Sequence, residues 1–200
     1  MHRVAHLVKA KLPTKFGEFL VRAYQSHTEH FPNLALYTPE LNVAKVVDVR
    51  IHSECMTGDV FNSTKCDCGE QLEYSMKWAQ EHDGVIIYLR QEGRGIGLVN
   101  KLKAYNLQEE GFDTKDANLE LGFHEDLREY SIAVNILKDL GISQIRLLTN
   151  NPEKIDAFKE SGIDVLDRLP IEIQANAFNI DYLKTKKEKM GHLLSSRISL

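Results

Sequence analysis

The stretch Gln144–Ile173, QIRLLTNNPEKIDAFKESGIDVLDRLPIEI, reads as strand, helix, strand. QIRLLT is a short apolar run of the kind that makes a buried strand. NNPEKIDAFKESG carries helix punctuation at both ends: Asn151 as N-cap, Pro152 at the first helical position and Gly162 as the stop. IDVLDRLPIEI returns to strand. Working upstream, LREYSIAVNILKDLG (127–141) reads as a helix ending at Gly141, and GVIIYLR (84–90) as another buried strand. IGLVNKLKAYNLQEEG (96–111) reads as a helix with Leu98, Leu102 and Tyr105 on one stripe, ended by Gly111. EQLEYSMKWAQEHDG (70–84) puts Leu72, Met76 and Ala79 on one face, with Gly84 after them. The first fifty residues look β-rich: GEFLVRAY, LALYT and VAKVVDVRIH lie between Pro and Asn breaks. Downstream, DYLKTKKEKMGHLL (181–194) is a basic helix. The pattern predicts a layered α/β/α domain with a mixed sheet, β-rich at its N-terminal part and largely parallel later. No repeat or Ser/Gly-rich linker breaks the chain, so residues 1–200 are expected to form a single domain.

Composition narrows the functional classes. The chain is 42% hydrophobic and 27% charged, an ordinary balance for a soluble globular protein. A net charge of −4 and a pI of about 6.1 give no global basic surface for a nucleic acid polymer. The N-terminal residues lack an apolar signal core, and no run reaches the length of a membrane span. Three cysteines, an odd number, argue against a disulfide framework and for a reducing compartment, so the expected location is the cytoplasm.

All three cysteines fall in CMTGDVFNSTKCDCG (55–69), spaced Cys55-x10-Cys66-x-Cys68. Two thiolates one residue apart can face one metal from a tight turn, and a ten-residue loop can return the third. Zinc favours such soft ligands. Three buried thiols would be the plain alternative, but buried thiols have no reason to cluster in polar, turn-rich sequence. A structural zinc with His52 as fourth ligand is a further possibility; three protein ligands and an open position would mark a catalytic site. QEGRGIG (91–97) follows an apolar strand, but its glycines run G-x-G-x-G, so the dinucleotide-binding fingerprint fails.

RIHSECMTGDVFNSTKCDCGEQLE (50–73) resembles the zinc-site signature of the GTP cyclohydrolase II family, which opens riboflavin biosynthesis. The resemblance extends through YLRQEGRGIGLVNKLKAY, GFDTKDANLELGFHEDLREY, RLLTNNPEKI and YLKTKKEKMGHLL, in that order, and covers nearly the whole chain. Lys65 stands where arginine is frequent, with charge kept. The family converts GTP and water to formate, pyrophosphate and a diaminopyrimidinone ribosyl phosphate. Many relatives carry a dihydroxybutanone phosphate synthase domain in front, and this chain is too short for that fusion.

The resemblance implies that Cys55, Cys66 and Cys68 hold one zinc per chain, with water in the fourth position. Three thiolates leave that unit near −1, so its water is acidified less than in an all-histidine site and a nearby acid–base group is expected. The resemblance places Tyr105 there; by pattern alone it is a core tyrosine. It assigns nucleotide binding to Arg50, Ile51, His52, Ser53 and Glu54, to Gln71, to Glu92, Gly93 and Arg94, and to Thr114, Thr149 and Lys154. Glu92 is expected to accept the guanine N1–H and N2 amine. Lys154 sits in the first turn after Asn151-Pro152, where backbone N–H groups favour an anion. The family assigns Asp126 as proton acceptor and Arg128 as nucleophile on the α-phosphorus. Their i, i+2 spacing shares one face of an extended segment. A clamp on phosphate charge is the alternative for Arg128, because guanidinium stays protonated. Magnesium is implied by the triphosphate, and a homodimer by the family. Lys184, Lys186, Lys187 and Lys189 form a solvated face by default, with a nucleotide or dimer role open. Two rival readings stand beside this one: a non-catalytic nucleotide-binding module with a structural zinc, and a relative that opens the ring but retains the formyl group.

Overall fold

The protein is described by a computed structural model covering residues 4–25, 31–124 and 126–195, with the backbone alone at 114 and 115. Among these residues the strands are β1 His6–Thr14, β2 Gly17–Tyr24, β3 Asn33–Tyr37, β4 Val47–Ser53, β5 Val85–Leu89, β6 Gln144–Leu148 and β7 Asp164–Leu169. The helices are α1 Met56–Asp59, α2 Cys68–His82, α3 Gly97–Glu109, α4 Thr114–Glu120, α5 Ser131–Asp139, α6 Pro152–Asp156 and α7 Ile180–Glu188. A 3-10 turn spans Glu92–Gly95. The chain divides into two compact units: Met1–His52, Leu72–Arg90 and Tyr130–Ile171 form the first, and Ser53–Gln71, Gln91–Glu129 and Glu172–Leu200 the second.

The first unit holds the sheet, in strand order β1-β2-β3-β5-β4-β6-β7. β1, β2, β3 and β5 pair antiparallel, while β4, β6 and β7 pair parallel, so the expected mixed sheet is present. Successive side chains of β5 go to opposite faces. Val85, Ile87 and Leu89 join a core with Ala133, Val134, Ile136 and Leu137 of α5 and with Phe158. Ile86 joins Phe19, Met76 and Ala79 on the other side, against α2. A strand buried on both faces must be apolar throughout, which is why GVIIYLR shows no alternation. The result is the expected α/β/α layering.

Several elements differ from the sequence reading. β1 was not anticipated, because Pro13 reads as a break. At a sheet edge proline is tolerated, and β1 is exposed over nearly its full length. The β1–β2 hairpin turns at Lys15-Phe16, where Thr14 Oγ1 accepts from Phe16 N at 3.1 Å and donates to Gly17 O at 2.8 Å. α5 begins only at Ser131, since Asp126 Oδ1 accepts from Arg128 N at 3.0 Å and holds the preceding segment out of helix. On α3, Leu102 is exposed and Ala104 is the buried residue, so the Leu98–Leu102–Tyr105 stripe is not a core face.

β4 and β6 are locked by a charged cross-strand pair. Arg146 donates to Asp48 through Nε at 2.6 Å and Nη2 at 2.9 Å, and Trp78 Nε1 donates to the same carboxylate at 2.8 Å. Asp48 is buried whereas Arg146 is half exposed. Asp48→Ala should therefore lower stability by about 2 kcal/mol, discounted for the exposed partner. A urea titration checks this; an unchanged midpoint would remove Asp48 as the tie between the strands.

Candidate functional site

The second unit assembles the cysteines by close backbone approach. A Cβ on Gly69 would meet Gly58 O at 2.3 Å, and one on Gly58 would meet Cys66 Sγ at 3.1 Å and Cys55 Sγ at 3.2 Å. At Gly69 no side chain fits without moving main chain, and at Gly58 a Cβ would make the neighbouring sulfurs give by a few tenths of an ångström. Cys55 N donates to Asp59 Oδ2 at 3.0 Å, and Met56 N to Glu92 Oε2 at 2.6 Å, fixing the α1 turn. The sulfurs of Cys55 and Cys66 lie 3.6 Å apart, and all three Sγ atoms lie within 4.8 Å of one another. Two thiolates on a tetrahedral zinc, each at about 2.3 Å, stand about 3.8 Å apart. The spacing therefore fits zinc, and the metal-competent group among the described residues comprises these three cysteines alone. Cys55 is pulled well below the ordinary thiol value by hydrogen bonds from Cys66 and Cys68, with the Lys101 ammonium adding to the pull. Cys66 is pushed up to about 11, first by its bond to Cys55.

Around Cys55 lies a connected set of polar groups. Lys101 Nζ donates to Cys55 Sγ at 3.0 Å and to Glu92 Oε1 at 2.8 Å. Thr57 Oγ1 lies 3.5 Å from Cys55 Sγ and 3.3 Å from the Tyr105 hydroxyl. Tyr105 also has Lys65 Nζ 4.9 Å from its ring centroid. Burial raises the Tyr105 pKa above its ordinary value, so the phenol keeps its proton at neutral pH. Glu92, expected to read guanine, spends its carboxylate on Met56 N, Gly93 N at 2.7 Å and Lys101. In this structure that carboxylate braces the cysteine turn.

The 3-10 turn carries Gly93 and Arg94, both at φ +62°. Leu127 N donates to Arg94 O at 3.0 Å, which sets the turn against the segment bearing Asp126 and Arg128. Arg128 Nε donates to Asp126 Oδ1 at 2.9 Å and to Oδ2 at 3.1 Å, and Nη2 closes the fork on Oδ2. Burial opposes the Asp126 charge, but Arg128 outweighs it and Arg94 assists, holding the carboxyl below its usual value. Arg94 Nη1 and Nη2 are buried and have no hydrogen-bond partner among the described residues. A non-glycine residue at positive φ with an unanswered guanidinium is the kind of strain found at ligand sites. Ser53 Oγ accepts from Gln91 Nε2 at 2.8 Å, and Gln71 Nε2 donates to Asp67 Oδ2 at 2.5 Å. Glu54 is buried. Thr114 opens α4, and its side chain lies outside the described residues.

In the first unit, Arg50, Ile51, His52, Thr149 and Lys154 gather at the carboxyl ends of β4 and β6, where open α/β sheets bind ligands. Lys154 Nζ donates to Ile51 O at 2.8 Å, and Arg50 Nη1 donates to Leu148 O at 3.0 Å. The His52 ring stacks on Tyr88 at 5.5 Å. Asn151 is the N-cap, accepting from Glu153 N at 2.9 Å, and its N–H goes to Thr149 Oγ1 at 3.0 Å. α6 has only five residues, so the expected dipole site is weak, and the buried Lys154 ammonium turns to a strand carbonyl instead.

Sequence reasoning missed Lys101, Thr57, Asp67 and Lys186. Asp67, between two cysteines, is buried and accepts from Lys186 Nζ of α7 at 2.9 Å. The position of Asp67 inside the cysteine cluster was the available signal for a partner cation. Burial lowers the Lys186 pKa, but Asp67 and Tyr182 overcome it and the net shift is upward. The ion pair's stability is then fully present below the unfolded value of about 10.4 and is lost only as pH rises through the higher folded value. At neutral pH, Lys186→Met should cost about 3 kcal/mol by leaving the carboxylate without its ammonium. Lys184→Met, on an exposed pair of the same helix, should cost under about 0.5 kcal/mol. Equal losses in the two variants, measured by urea unfolding, would contradict the buried-pair account.

Comparisons with known proteins give the chain's family. The family model described as GTP cyclohydrolase II matches residues 5–170. The chain is 53% identical over 187 residues to GTP cyclohydrolase-2 of Campylobacter fetus, covering 92% of this chain and 93% of that protein. It is 49% identical over 193 residues to the riboflavin biosynthesis protein RibBA of Chlorobium phaeovibrioides, covering 96% of this chain but 47% of the relative. The chain thus spans about half the length of the RibBA relatives that it matches. Among solved structures it is similar in fold to RibBX, a two-domain 3,4-dihydroxy-2-butanone 4-phosphate synthase from A. baumannii. That match has a TM-score of 0.50 at 18% identity, over 86% of this chain and 41% of that one. Matched across most of its length by the family model, and along nearly all of a relative at more than half identity, the chain belongs to the GTP cyclohydrolase II family.

Proposed function

We propose that this chain hydrolyses GTP to formate, pyrophosphate and a diaminopyrimidinone ribosyl phosphate, the opening step of riboflavin biosynthesis. One observation carries the reading: three sulfurs at zinc spacing, joined through Thr57 to a protonated Tyr105 hydroxyl. Zinc held by Cys55, Cys66 and Cys68 would supply a nucleophile from water at neutral pH for attack on the guanine imidazole ring. Tyr105, with its raised pKa, holds a proton that it can give to the ring nitrogen as the C–N bond opens.

The phosphate chemistry falls to other side chains. Asp126, held below the usual carboxylate range, is a weak base and a good anchor. It fixes Arg128 as a planar cation, which supports the clamp on α-phosphate charge over attack by the guanidine. Arg94 brings unanswered N–H donors for phosphate oxygens. Magnesium accompanies the triphosphate, as a hard cation suited to a leaving pyrophosphate. Arg50, Ile51, His52, Ser53, Glu54, Gln71, Glu92, Gly93, Thr114, Thr149 and Lys154 bind the nucleotide with Arg94, as the family resemblance implies. In this reading residues 1–200 work as one family domain, homodimeric and cytoplasmic. Free cysteines serving as ligands suit a reducing compartment, and no helix among the described residues is long and apolar enough to cross a membrane.

Incubation of the zinc-loaded protein with GTP and magnesium should release formate and pyrophosphate in equal amounts. Cys66→Ser should abolish formate while leaving part of the pyrophosphate release, because the two steps use different groups. Pyrophosphate without formate from the wild-type protein would mark a formyl-retaining enzyme. Neither product would mark a binding module.

A further inference from the structure

Three thiolates on one divalent zinc give a net charge of about −1, which weakens the ion as a Lewis acid. The surroundings of Cys55 answer this. Lys101 reaches the cluster from α3 with its side chain only 13% exposed. Its ammonium lies 3.0 Å from Cys55 Sγ, 2.8 Å from Glu92 Oε1 and 5.9 Å from the Tyr105 ring centroid. Gly93 makes room for it: a Cβ there would come within 3.1 Å of Lys101 Cβ. Glu92 is already held by two backbone donors, Met56 N on Oε2 and Gly93 N on Oε1. A carboxylate so braced serves to aim the ammonium. Cys55 Sγ thus accepts from the Lys101 ammonium and also has the Thr57 hydroxyl beside it.

We propose that Lys101 is a positioning residue for the metal centre: its ammonium, aimed by Glu92, donates to Cys55 Sγ and offsets the excess negative charge of the three-thiolate site. This deepens the reading given under Proposed function and rests on its metal site. A charge-assisted N–H···S bond draws electron density from the sulfur and reduces its donation to the metal. The three ligands are then unequal, with Cys55 the weakest donor. Outer partners of this kind change metal affinity by about 10- to 100-fold when removed.

Cobalt(II) replaces zinc and reports thiolate donation through its sulfur-to-metal charge-transfer absorption. Lys101→Met should move that band to lower energy and change zinc affinity by about 10- to 100-fold in chelator competition. Lys101→Arg, which keeps the charge, should hold the band near its wild-type position. Glu92→Gln should shift it less than Lys101→Met does. Lys101→Met leaves Glu92 buried beside no ammonium, so Lys101→Met/Glu92→Gln provides a charge-balanced variant; its band should move as in Lys101→Met. A band unmoved in both Lys101→Met and the double variant would overturn the proposal even if affinity fell, because Lys101 would then only support the fold. A band displaced as far by Glu92→Gln as by Lys101→Met would also overturn it. Wild-type protein with no cobalt–thiolate band would overturn the metal reading and this proposal together, whereas the formate assay fails independently of the band.

Discussion

The second unit depends on two backbone segments touching. Gly69 lies so close to Gly58 that a Cβ would meet the carbonyl oxygen at 2.3 Å. With that approach the ten-residue loop after Cys55 closes, and Cys66 and Cys68 return to Cys55 within metal-binding distance. Alanine at Gly69 would push the α1 turn from the start of α2 and separate the sulfurs. The chemistry of the unit thus begins as a steric constraint on main chain.

Charge is the second organising term. The chain is only mildly acidic, yet its buried charges are paired with care: Lys101 with Glu92, Lys186 with Asp67, Arg128 with Asp126, and Arg146 with Asp48. A buried ion left alone costs several kcal/mol, so each pairing fixes a geometry as well as a charge. Lys101 and Lys186 approach the cysteine loop from α3 and α7 respectively. Arg94 departs from this pattern, with both terminal nitrogens buried and unanswered among the described residues. An anionic nucleotide would complete it.

Much of this was legible in the sequence where local rules act alone. β5 declared itself by a run of apolar residues, α6 by its Asn151 cap and Pro152, and the cysteine trio by its spacing. β1 was hidden because Pro13 breaks strands everywhere except at edges, and edge position is a property of the assembled sheet. Leu102 was misplaced because helical period names a face without saying what covers it. Lys186 sat in a basic run whose default is solvent, and only the fold brings it to Asp67. Glu92 holds Met56 N and Lys101, partners 36 and 9 residues away. Long-range polar partners of this sort have no local signature.

In the proposed site three cysteines, and no histidine, hold a single zinc with one position open to solvent. X-ray absorption at the zinc edge tests it most directly, on protein loaded to its natural stoichiometry. The account predicts one zinc per chain, with three sulfurs at about 2.3 Å and one oxygen at about 2.0 Å. An imidazole as the fourth ligand, which would implicate His52, or a zinc with fewer than three sulfurs, would contradict it.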